Sequence, residues 1–68
     1  MKPQEFAQGL RSLELTQVEF ASLVDASKRT VLYWTQEAVP GPVAALVRLL
    51  LARPEMVQVL RELKETSS

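Results

Sequence analysis

The stretch Leu15-Thr16-Gln17-Val18-Glu19-Phe20-Ala21-Ser22-Leu23-Val24-Asp25-Ala26-Ser27-Lys28-Arg29-Thr30-Val31 decides the reading of this chain. Thr16 and Glu19 stand at capping-box spacing. The hydroxyl can accept from the Glu19 N–H, and the carboxylate can reach back to the Thr16 N–H. Phe20, Ala21 and Val24 then form the inward side of a short helix. Asp25-Ala26 reads as a turn and Ser27 as a second N-cap. Only Asp25 and Ala26 separate Val24 from Ser27. A link that short makes the two helices cross sharply, as in a helix-turn-helix.

The helix opened by Ser27, reaching about Gln36, has two unlike sides. With Lys28 as origin and ~100° per residue, Val31 and Trp34 project near roughly 300° and 240°, whereas Leu32, Arg29 and Tyr33 fall near roughly 40°, 100° and 140°. Val31 and Trp34 are therefore expected to face the core, and Lys28, Arg29, Leu32 and Tyr33 to face outward. An α-helix fits the major groove of double-stranded DNA, with its N-terminal residues at the base edges. Arg can bind guanine through two hydrogen bonds, Lys reaches the same acceptors, and Leu32 and Tyr33 can meet thymine methyl groups or sugar. The outward side is thus a candidate base-reading face.

Outward from this unit, cap and turn signals imply about five short helices and no strand. The first runs from about Pro3 to Leu13, with Pro3 in a first-turn position and Phe6, Leu10 and Leu13 as an apolar stripe. Pro40-Gly41-Pro42 opens a fourth helix that reaches about Ala52. Pro54 opens a fifth, reaching about Lys64 with Met56, Val59, Leu60 and Leu63 as its stripe. The expected organisation is one all-α domain over residues 1–65, with Thr66-Ser67-Ser68 as a frayed tail.

Composition narrows the function. The chain has 68 residues, no Cys and no His. Disulfides, thiolate sites and imidazole metal ligands are excluded, so no cofactor or metal is expected. The acids Glu5, Glu14, Glu19, Asp25, Glu37, Glu55, Glu62 and Glu65 are scattered, with no pair placed by spacing in an apolar pocket, so an enzyme is not expected. No apolar run is long enough for a bilayer span. The expectation is a cytoplasmic, nucleoid-associated protein with no membrane partner and no small-molecule ligand. Eight Lys and Arg balance eight Asp and Glu. Neutrality is unusual for a DNA binder, but a groove feels the field of one face rather than the sum.

The segment Leu15–Val31 resembles the helix-turn-helix of Xre/Cro-type phage and bacterial repressors, and the likeness extends through Trp34 and Val39-Pro40 into the fourth helix. The resemblance implies a lambda-repressor-like bundle and a small transcriptional regulator, of the kind found among Cro-like proteins, antitoxins and anti-CRISPR-associated regulators. It places Gln17, Ser27 and Thr30 against DNA phosphates, with Thr16 at the start of the Gln17 helix and Gln36 as further phosphate candidates, and Lys28, Arg29, Leu32 and Tyr33 against bases. Gln17 resembles the glutamine that touches phosphate and braces the recognition helix, and Ala21 the small residue that lets the two helices approach. Departures fall at Glu14, Asp25 and Glu37, where the family often has glycine with positive φ, and at Thr35, which replaces the usual glutamate.

One reading helix covers only a few base pairs. A dimer would join two half-sites about 34 Å apart on an inverted-repeat operator. The fourth helix is apolar around most of its circumference, so Leu46, Leu49, Leu50, Met56, Val59, Leu60 and Leu63 are the candidate homodimer interface. The alternative is that the fifth helix packs back over the first. The competing function is a protein-interaction module, antitoxin-like or an adaptor, using the apolar C-terminal helices.

Overall fold

A computed structural model describes residues 1–67, with side chains as far as Thr66; Ser68, the end of the expected tail, lies outside the described residues. Five helices follow in order: α1 (Pro3–Ser12), α2 (Gln17–Leu23), α3 (Lys28–Gln36), α4 (Gly41–Ala52) and α5 (Met56–Ser67). The described residues contain no strand.

Caps set the starts. Thr16 Oγ1 accepts from Glu19 N at 3.0 Å, and Glu19 Oε1 accepts from Thr16 N at 3.0 Å, so the capping box of α2 is closed. Ser27 Oγ accepts from Thr30 N at 3.1 Å and caps α3. Glu5 Oε1 accepts from Lys2 N at the start of α1.

The ends of α1 and α2 share one device. Glu14 and Asp25 both sit at φ 57°, in the left-handed region. Past them the chain doubles back: Leu15 N donates to Leu10 O, and Ala26 N to Ala21 O, each at 2.9 Å. These are the six-to-one bonds of Schellman caps, which normally place glycine at the left-handed residue. The accompanying apolar contact is made as well, since Leu10, Leu15 and Ala21 are buried and Ala26 packs against the same cluster. Glu37 does not share this geometry. Its φ is −116°, and its N–H donates to Tyr33 O at 2.7 Å. The chain leaves α3 through Ala38 and Val39 toward Pro40, whose ring disfavours a helical residue before it. No glycine-like turn is needed there.

The core is small. Phe6, Leu10, Leu15, Phe20, Ala21, Val31, Val47 and Leu50 form one buried cluster drawn from α1 to α4 and the α1–α2 link. Its centre is three aromatic rings, one per helix. Phe6 and Phe20 meet edge to face at 5.4 Å, Phe6 and Trp34 at 6.1 Å, and Phe20 and Trp34 at 6.4 Å. On α4, Val43, Leu46, Val47 and Leu50 follow i, i+3, i+4, i+7 spacing, and Val47 and Leu50 are fully buried. Gly9 lets α4 approach α1: a Cβ on it would lie 3.0 Å from Val47 Cγ1 and 3.4 Å from Leu51 Cδ1.

The fifth helix departs from expectation at both ends. It starts at Met56 rather than Pro54, after a turn in which Met56 N bonds Arg53 O and Val57 N bonds Pro54 O. It continues to Ser67, three residues past Lys64, with Thr66 Oγ1 donating to Glu62 O at 2.7 Å. It lies against α2 rather than α1.

Replacing a left-handed residue by glycine relieves Cβ strain of about 1–2 kcal/mol, less the entropy that glycine gives the unfolded chain. Glu14→Gly is therefore expected to raise the unfolding free energy by about 1 kcal/mol, read from urea denaturation. A destabilised Glu14→Gly variant would contradict the cap described here.

Candidate nucleic-acid interface

The site is built on α3. Val31 is fully buried, and Trp34 is half-buried with its ring held against Phe6 and Phe20. Those two anchors fix the rotation of the helix about its axis. Lys28, Arg29, Leu32 and Tyr33 accordingly face solvent, with Leu32 40% and Tyr33 55% exposed. The expected split of α3 is thus the one found. The helix carries two cations and no acid, so its outer face is locally positive on a neutral chain.

Thr16, Ser27, Thr30 and Gln36 are also exposed, and Gln17 is half-buried. Their hydroxyls are partly committed. The Thr16 hydroxyl belongs to the α2 cap. Ser27 Oγ and Thr30 Oγ1 share one hydrogen bond at 2.8 Å, which uses one of their two O–H protons and leaves the other to donate outward. The Thr35 hydroxyl turns back to Leu32 O at 2.6 Å, so it closes on its own helix rather than projecting.

The residues expected at a dimer interface separate into two groups. Leu50 is fully buried in the core of its own chain and cannot meet a partner. Leu46, Met56 and Leu60 are half-buried and pack against that same core. The reason is periodic: Leu46 and Leu50 belong to the stripe that begins at Val43, and this stripe faces inward. Leu49, Val59 and Leu63 remain exposed, at 49%, 37% and 61%, and Leu51 joins them at 39%.

Sequence reasoning passed over Arg61 and Lys64. Arg61 Nη2 pairs with Glu19 Oε2 at 3.4 Å, and Lys64 Nζ pairs with Asp25 Oδ1 at 2.5 Å. Both pairs tie α5 to the helix-turn-helix across some forty residues of chain, a separation at which no local pattern signals a partner. They border an open groove of about 440 Å³ lined by Glu19, Ser22, Leu23, Arg61, Lys64 and Glu65. Val18, 55% exposed beside Gln17, was missed too. Its only signal was an apolar residue off the Phe20–Ala21 side.

Among the described residues no group of three His, Cys, Asp or Glu side chains could hold a metal ion, and no helix is long and apolar enough to cross a membrane.

The Glu19 carboxyl is held below its ordinary value of 4.5, first by the Thr16 backbone N–H and then by the Thr16 side chain; desolvation opposes them, and the Arg61 charge adds the smallest lowering effect. A depressed folded-state value stabilises the fold above the unfolded value, and that contribution is lost as pH falls through the lowered one. Glu19→Gln keeps a capping side chain but cannot titrate. The difference in urea midpoint between the parent chain and Glu19→Gln is expected to stay constant from neutral pH to about pH 5.5 and to shrink toward about pH 3. A constant difference throughout would contradict the cause given.

Comparison with models of known protein families, with curated proteins and with solved structures returned no match.

Proposed function

We propose that this chain is a sequence-specific double-stranded DNA-binding regulator, acting as a dimeric autorepressor on an inverted repeat in the cytoplasm. One observation carries the reading: α3 turns Val31 and Trp34 to the core and leaves Lys28, Arg29, Leu32 and Tyr33 exposed together on a helix without acids. Such a face has the dimensions and donors for the major groove. The resemblance of Leu15–Val31 to the Xre/Cro helix-turn-helix points the same way. Arg29 and Lys28 are assigned to base edges with Leu32 and Tyr33 beside them. Gln17, Ser27, Thr30 and Gln36 are assigned to phosphates, with Thr16 supporting them through its cap. Operator occupancy set by the concentration of the chain is the simplest control.

The second reading, a protein-interaction module, is favoured by the neutral net charge and by the exposed Leu49, Val59 and Leu63. In the primary reading the same side chains take a second copy of the chain.

Selection of bound sites from random duplex DNA tests the function directly, with an inverted repeat as the expected outcome. Against the selected site, Arg29→Ala is expected to cost about 1–3 kcal/mol and to relax preference at one base position, if its contact is bidentate to guanine. Unchanged affinity in both Arg29→Ala and Lys28→Ala would remove α3 from the interface.

Leu63→Arg places a charge on the most exposed of the large apolar side chains. It is expected to shift the chain to monomer in sedimentation without loss of helicity. A parent chain already monomeric at high concentration would remove the dimer from the proposal.

A further inference from the structure

The ion pairs between α5 and the helix-turn-helix concern the only two acids of the α2–α3 unit. Between Thr16 and Gln36 the chain holds two acids, Glu19 and Asp25, and two cations, Lys28 and Arg29. Glu19 shares the first turn of α2 with Thr16 and Gln17, and its carboxylate bonds Thr16 N. Asp25 lies two residues before Ser27, and its side chain is 91% exposed. Both acids therefore stand beside residues assigned to phosphate contact. Left alone they would repel a polyanion and cancel the field of Lys28 and Arg29. Each is instead met by a cation from α5, Arg61 for Glu19 and Lys64 for Asp25.

The helix that supplies these cations is lightly held. Among the described side chains of α5 none belongs to the fully buried core, and the helix rests on half-buried Met56, Val57 and Leu60. Exposed ion pairs add little to stability. Their effect on the field at the adjoining surface does not depend on that small free energy, since a charge acts over about a Debye length of 8–10 Å at physiological salt.

We propose that α5 is a charge-compensating strap: docked on α2, it cancels Glu19 and Asp25 through Arg61 and Lys64, so that DNA affinity depends on α5 being in place. The inference rests on the DNA-binding reading above. It deepens that reading by making α5, which carries no assigned DNA contact, a control element of the interface. An event that lifts α5 uncovers two negative charges beside the phosphate-contacting residues.

The test uses the full-length chain and the selected operator, with affinity measured across a salt series. Arg61→Gln with Lys64→Gln removes the cations and keeps good helix formers. It is expected to weaken binding roughly three- to tenfold at low salt, with the loss shrinking as salt rises. Adding Glu19→Gln and Asp25→Asn removes the acids while keeping a capping side chain at 19 and a residue at ease with positive φ at 25. This fourfold variant is expected to return to within about twofold of the parent, because the charges the strap cancels are gone. Arg48→Gln with Arg53→Gln makes the same change in net charge elsewhere and is expected to cost less.

Failure of the fourfold variant to recover would make α5 a packing element and overturn the strap. An equal loss in Arg48→Gln with Arg53→Gln would reduce the effect to net charge and overturn it also. Unchanged affinity in Arg61→Gln with Lys64→Gln overturns the strap alone. Absence of salt-dependent binding by the parent chain overturns the DNA-binding reading and the strap with it.

Discussion

The rest of the structure depends on three rings meeting edge to face. Phe6, Phe20 and Trp34 come from three different helices, and every pair is in contact, with centroids 5.4–6.4 Å apart and planes near perpendicular. Edge-to-face pairs contribute about 0.5–1.5 kcal/mol each beyond the area they bury. The geometric consequence matters more than that sum. A chain this small has no thick core to hold a helix in rotation. Trp34 supplies the hold for α3: with its ring against two others and Val31 buried one turn earlier, the helix has one orientation. The exposed face of α3 is what remains after that choice.

The helix ends show what the chain gives up to reach this packing. Two non-glycine residues in the left-handed region carry a steric cost. Glu14 and Asp25 bear it at the two places where the chain must reverse within a few residues. Each reversal returns something to the core: Leu15, just past Glu14, is 6% exposed, and Ala26, just past Asp25, packs on the same cluster. Asp is among the residues that enter this region more readily, and Glu is not. The strain at Glu14 is therefore the less well compensated of the two.

Much of this was legible because it is local. The capping box at Thr16 and Glu19, the cap at Ser27 and the two-sided pattern of α3 are each set within a single turn or helix, where spacing dictates geometry. Burial of Leu15 was not legible by helical period, since the residue lies beyond α1. An i, i+5 pair such as Leu10 and Leu15 is the sign of a Schellman end. Assigning Leu50 to an interface was an error of phase: α4 is so rich in Leu that composition hid the stripe through Val43, Leu46, Val47 and Leu50. At Glu37 the resemblance set the family's positive-φ glycine against an acid, and the chain leaves α3 with φ −116° instead. The partners of α5 were the least accessible of all. Which helix it lies on is fixed by shape, and its ion-pair partners lie some forty residues away; neither is written in its own amphipathic pattern.

Electroneutrality then takes on a physical meaning. A strongly basic domain binds any duplex by counterion release, whatever its sequence. A neutral chain with a positive helix face gains little from that source, so in the proposed reading discrimination rests on Arg29, Lys28 and the apolar contacts of Leu32 and Tyr33. In the proposed reading, the acids near the interface lower affinity for random DNA, and α5 decides how much of their charge is felt. Placing the compensating cations on the most lightly anchored helix, rather than on α3 itself, makes the field at the groove a property of tertiary structure. On that reading it can change without any change in the residues assigned to the bases.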